Sequence, residues 1–224
     1  MADPWSDLPL FPLSTVLFPG MVLPLHIFEE RYRLMINRCL DQQRAFGVLL
    51  IREGREVGEN ATPYRVGTTA AISGVSRMDD GRLNLVAIGA ERFRLQSVRR
   101  DQPYLVGSAE PWPLAGAEAE QAQELAPPVL ALFKRYTALL AEAQGEKLQV
   151  DEMPDDAHTL ALLVAIALQV PLAQKQQLLQ QPAIADLLAA QRKILRRENA
   201  LLAMIARTQQ QQSETGYSGH LAIN

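Results

Sequence analysis

The run Leu8-Pro-Leu-Phe-Pro-Leu-Ser-Thr-Val-Leu-Phe-Pro-Gly20, continuing as Met21-Val-Leu-Pro-Leu-His-Ile-Phe28, constrains the fold more than any other stretch. Four prolines and a glycine interrupt an otherwise apolar segment. Proline fixes φ and lacks a backbone donor, so the run cannot form a continuous helix. It predicts short extended pieces joined by turns. Prolines within apolar strands also point to an irregular sheet or a barrel edge.

The rest of the first half reads as strand-rich. Phe28–Asp41 is the exception. Phe28, Tyr32, Met35, Ile36, Cys39 and Leu40 repeat with helical spacing, giving one amphipathic helix. Phe46–Ile51 is a short apolar run, read as a buried strand. Thr68–Ser76 and Leu83–Ile88 flank Asp80-Gly81, a hairpin signal. Arg92–Val98 alternates, with Phe93 and Leu95 on one side and Arg92, Arg94 and Gln96 on the other. Tyr104–Ala109 completes the strands.

After Pro113 the pattern becomes helical. Pro127-Pro128 predicts a kink or a fresh helix start. Val129, Leu132, Phe133, Tyr136 and Leu140 share a face beyond it, and His158–Gln169 is apolar nearly all round. The final helix, Pro182–Gln210, repeats Leu187, Ile194 and Leu201 beside Leu188, Leu195 and Leu202. Such a seam packs within its own bundle or pairs with a second copy of the chain. The boundaries that follow are a β-rich domain at 1–112, a helical bundle at 113–210 and a flexible tail at 211–224.

Composition narrows the function classes. At 224 residues and 48% hydrophobic, the chain can build one large or two small cores. The net charge of −3 gives no broad attraction to nucleic acid or anionic lipid. Cys39 is the sole cysteine, which excludes an intrachain disulfide and fits a reducing, cytoplasmic location. No signal peptide is read at the N-terminus. The longest apolar run, Leu160–Leu168, is far short of the roughly 20 residues that span a bilayer.

No catalytic constellation emerges, and no cofactor or metal is expected. His26, His158 and His220 lack partners at ligand spacing, and Cys39 belongs to an apolar helical stripe. Asp79-Asp80 suits a hairpin turn and Asp155-Asp156 a helix N-terminus. The lysines (Lys134, Lys147, Lys175 and Lys193) have no phosphate-binding glycine loop around them.

The opening run resembles the start of the Lon N-terminal, or substrate-binding, domain family. The similarity continues through Ile27-Phe-Glu-Glu-Arg-Tyr32, Phe46-Gly-Val-Leu-Leu-Ile51, Val66-Gly-Thr68, Asp80-Gly-Arg-Leu83 and Gly89-Ala-Glu-Arg-Phe-Arg94. A helical segment, Ala173-Gln-Lys-Gln-Gln-Leu-Leu-Gln180, extends it. The resemblance implies an α+β fold: a six-stranded PUA-like pseudo-barrel with one helix, then an α-helical bundle ending in a long helix. It also implies a stand-alone member without the ATPase and protease modules of Lon. Its role would be non-enzymatic binding of unfolded or tagged polypeptides, with an adaptor to an ATP-dependent protease or chaperone as one form of that role. Pro127-Pro128 departs from the family's unbroken helix.

Two candidate surfaces follow. Phe18, Met21 and Phe28, with Glu29, Glu30 and Arg31 at the helix entrance, would form a polypeptide-binding patch, because apolar contacts are indifferent to client sequence. The alternative is RNA binding through Arg92, Arg94, Arg99 and Arg100, which the neutral overall balance of the first half disfavours. The last helix is the candidate for a homodimer.

Overall fold

A computed structural model describes residues 5–55, 61–144 and 153–217. Among the described residues the fold is α+β, with a seven-stranded sheet and five helices. The chain divides into two compact units: Met1–Ala115 with Ala165–Pro182, and Gly116–Val164 with Ala183–Asn224. The segment Ala165–Pro182, expected in the helical bundle, thus belongs to the β-rich unit.

The first unit contains strands β1 (Leu8–Leu13), β2 (Val22–Ile27), β3 (Phe46–Glu53), β4 (Thr62–Pro63), β5 (Val66–Arg77), β6 (Leu83–Arg99) and β7 (Leu105–Pro111), and helix α1 (Glu30–Asp41). Pairing runs β1–β7–β6–β5–β3 and returns to β1, so the sheet closes on itself. Only β1–β3 is parallel. The sheet has seven strands rather than six, because Thr62–Pro63 pairs with the end of β3.

The prolines of the opening run sit where a missing donor does least harm. β1 pairs with β7 through Leu8–Leu10 and with β3 through Leu10–Leu13, so Pro9 and Pro12 each have a strand on one side only. Phe18-Pro19-Gly20-Met21 is a tight turn: the Met21 N–H donates to the Phe18 carbonyl at 3.1 Å, and Gly20 takes φ +80°. Proline before a positive-φ glycine is what a type II turn requires. The turn lies directly against Gly89, where an added Cβ would sit 2.1 Å from the Phe18 carbonyl oxygen. The buried Thr68 hydroxyl ties the run down further by donating to the Leu17 carbonyl at 2.6 Å.

Inside the ring, Phe11, Leu13, Leu17, Ile27 and Phe46 pack against Tyr32, Met35, Ile36 and Cys39 of α1. Burial pushes the Cys39 thiol up to about 11, as expected of a core cysteine. Leu8, Leu10, Leu49, Phe93 and Leu95 form a second cluster. The expected break between Leu83–Ile88 and Arg92–Val98 is absent. β6 runs unbroken for 17 residues, with Gly89 admitting the turn instead of ending the strand. Helix α1 starts at Glu30, so Phe28 precedes it and leaves the stripe.

Within the same unit, α4 (Leu172–Leu179) lies against β5 and β6. The Gln176 side chain donates to the Val66 carbonyl at 3.0 Å. Lys175 Nζ donates to the Ala165 and Ile166 carbonyls at 2.6 and 2.7 Å, satisfying the end of α3 (Ala157–Ala167).

The second unit contains α2 (Glu120–Gln144), most of α3, and α5 (Ile184–Tyr217). Helix α2 continues through Pro127 and Pro128 without a fresh start. Both prolines are exposed between buried Ala126 and Val129, and Gln123 and Glu124, whose carbonyls lose their donors, are exposed too. Asp156 Oδ1 accepts the Thr159 N–H at 2.7 Å at the start of α3, which holds its carboxyl below the usual range. Leu187, Leu188 and Leu195 of the seam are buried, whereas Leu201 is half exposed. Gln191 and Asn199 donate to the Ala161 and Leu132 carbonyls, which locks α5 to α3 and α2. The expected tail begins instead as helix, through Tyr217, and its remainder lies outside the described residues.

Candidate functional site

The outer surface of β2, β6 and β5 concentrates exposed apolar side chains. β6 alternates burial strictly from Leu83 to Gly89, with Asn84, Val86 and Ile88 outward. In β2 the outward residues are Val22, Pro24 and His26. Register places these in three rungs with β5: Ala71–Ile88–Val22, Gly74–Val86–Pro24 and Ser76–Asn84–His26. Val22 is 58% exposed, and Val86 and Ile88 are each about 40% exposed. Water normally selects polar residues at such positions.

The second and third rungs line an open groove of about 620 Å³. Gly74 leaves its middle bare, since a Cβ there would meet nothing within 4 Å. One end carries polar groups. His26 Nδ1 lies 2.8 Å from Asn84 Oδ1, and Arg82 reaches both His26 Nε2, at 3.4 Å, and the Asp80 carboxylate, at 2.6 Å. The Arg82 backbone and side chain hold the Asp80 carboxyl below its usual range. Phe28, 53% exposed, stacks on the His26 ring at 6.3 Å.

Of the expected polypeptide-binding residues, only some reach this surface. Phe28 adjoins it. Phe18 does not, being 1% exposed beneath the Lys175 ammonium at 5.6 Å. Met21 is half-buried against the core. Glu29 pairs with Arg31 at 2.9 Å, and Arg31 covers the Tyr32 ring, so both serve the helix entrance. Glu30 is exposed in the first turn of α1. The groove itself was missed. Its signal was present in Val22–Ile27 and Leu83–Ile88, which are apolar on both faces.

The arginine set does not form one surface either. Arg92 points away from the barrel core, as its alternation with Phe93 predicts, but α4 covers it, leaving it 4% exposed. It donates to the Leu179 and Gln181 carbonyls at 2.6 and 2.8 Å. Burial pulls the guanidinium down to about 10. Arg94 lies over the Trp112 ring at 3.8 Å. Arg99 pairs with Asp7 and approaches Asp101 at 3.9 Å, and Arg100 reaches the Ala61 carbonyl at 3.3 Å.

Among the described residues, no His, Cys, Asp and Glu cluster could hold a metal ion. No described helix is long and apolar enough to cross a membrane.

Residues 7–197 match the family model of the ATP-dependent protease La (LON) substrate-binding domain. The chain belongs to the Lon substrate-binding domain family. The Lon protease of Anaeromyxobacter dehalogenans (strain 2CP-C) is 27% identical over 204 residues, covering 87% of this chain and 24% of that protein. Lon protease 2 of Myxococcus xanthus is 27% identical over 206 residues, covering 87% and 25%. The chain therefore spans about a quarter of the length of these curated relatives. Among solved structures it resembles a Lon N-terminal domain protein from Xanthomonas campestris, with TM-score 0.57 and 29% identity over 82% of this chain and 95% of that one. The N-terminal domain of Mycobacterium avium complex Lon protease shares the fold, with TM-score 0.65 and 21% identity over 87% and 98%.

Proposed function

We propose that this chain recognises unfolded or tagged polypeptides without catalysing a reaction, and that the β2–β6–β5 face with Phe28 is where it holds them. The observation that carries this reading is the pair of outward apolar rungs, Ala71–Ile88–Val22 and Gly74–Val86–Pro24, with Gly74 bare between strands. Covering the half-exposed Val22, Val86 and Ile88 contributes roughly 1 kcal/mol each, about half the yield of burying such a side chain completely. Contacts of that kind discriminate by apolarity and accessibility, which separates an unfolded chain from a folded one.

Membership of the Lon substrate-binding family supports the role. An adaptor function, delivering clients to an ATP-dependent protease or chaperone in the cytoplasm, extends it. The closed sheet is read as the family's PUA-like pseudo-barrel, with Thr62–Pro63 as a short addition. The RNA alternative loses ground, because Arg92 is committed to α4 and Arg99 to Asp7.

The test is binding of one client in its unfolded and native forms, followed by fluorescence anisotropy. The unfolded form binds and the native form does not. Equal affinity for both would overturn the reading.

A further inference from the structure

A second cleft of about 390 Å³ opens between β4 and the C-terminal half of β6. Three arginines line it: Arg52 from β3, Arg65 from the β4–β5 connection, and Arg100 just past β6. Among the described residues, no acidic side chain lines it. Arg52 has an exposed partner in Glu53 at 3.3 Å, a surface pair of little energetic weight. Arg65 is exposed and makes no ion pair among the described residues. The chain as a whole carries net charge −3, so this concentration of positive charge is local.

The backbone contributes as well. β5 begins at Val66 opposite Arg94, and the Leu95 N–H donates to the Arg65 carbonyl at 2.7 Å. Beyond that bond, Gln96–Val98 has β7 on one side and the cleft on the other. A strand edge beside a row of guanidiniums can pair with an extended backbone while the guanidiniums grip its carboxylates.

We propose that this cleft binds an acidic segment of an extended polypeptide, with Arg65 as the principal carboxylate contact. The inference rests on the reading of the chain as a polypeptide-binding module and adds a preference to it. Clients with acidic residues within reach of an apolar stretch would be favoured. Bidentate Arg–carboxylate pairing favours a few well-placed carboxylates. The negative net charge opposes a long polyanion.

The experiment uses the full chain and three labelled probes: a short extended Val/Thr peptide with a central Asp pair, its Asn counterpart, and an oligouridylate. At low salt the Asp peptide binds about tenfold tighter than the Asn peptide, and salt erodes the difference. Arg65→Ala removes most of that preference with an unchanged melting temperature, since Arg65 is exposed. Arg65→Lys retains part of it. Equal binding of the two peptides, an unchanged preference in Arg65→Ala, or tighter binding of the oligouridylate would overturn the proposal. If the Asn peptide binds as well as the Asp peptide, the cleft proposal falls and the apolar-face reading stands. If no peptide and no unfolded client binds, both fall.

Discussion

A guanidinium on the outward side of a barrel strand can meet water, a ligand or a second element, and at Arg92 it meets a helix end. The carbonyls it caps carry the negative end of the α4 dipole, which favours a cation there even though burial opposes it. Arg92→Ala leaves those carbonyls without their donor, and hydrogen bonds to charged groups are individually strong. The expected cost is about 3 kcal/mol of stability, read as a lower urea midpoint. Lys175 does the same for the end of α3, and burial pulls its ammonium down to about 8. Between that value and the unfolded value near 10.5, the unfolded chain binds more protons than the folded one. Stability therefore rises with pH across that window. Wild type should gain melting temperature relative to Lys175→Met from pH 8 to pH 10, and a falling difference would contradict the assignment.

Elements that depend on neighbouring residues were legible in the sequence. The Phe18–Met21 turn follows from proline and glycine chemistry, the Asp80-Gly81 hairpin from turn preference, and α1 from its stripe. Elements that depend on distant residues were not. The burial of Arg92 is imposed by carbonyls 87 and 89 residues away, which no strand alternation reveals. The same applies to Phe18, which is sealed in the core beneath Lys175. The groove on β2 and β6 was half legible. Apolar residues on both faces of a strand mean either a covering layer or an exposed patch, and only the fold decides which. Gly74 supplies a test at this scale. Its φ is unexceptional and the space above it is open, so Gly74→Leu should fold with a near-unchanged melting temperature while filling the groove. Client affinity should fall by about tenfold, equivalent to about 1.4 kcal/mol. A folded variant with undiminished affinity would place clients elsewhere.

For the molecule as a whole, the two units differ in build. In the second, Gln191 and Asn199 fix α5 against its neighbours through buried amide contacts, which gives the helical unit one register. In the first, the closed sheet offers an apolar groove and, separately, an arginine-lined cleft. The family to which the chain belongs is named for substrate binding, and the groove is the place we propose for that role. The most direct test is the affinity of the Val86→Glu, Ile88→Glu double variant for an unfolded client. Both side chains already face solvent, so the variant should keep the wild-type melting temperature within a few degrees. Charging this apolar face, at Val86 in the groove and at Ile88 in the next rung, should weaken client binding at least tenfold. A folded double variant that binds the client as tightly as wild type would contradict the account.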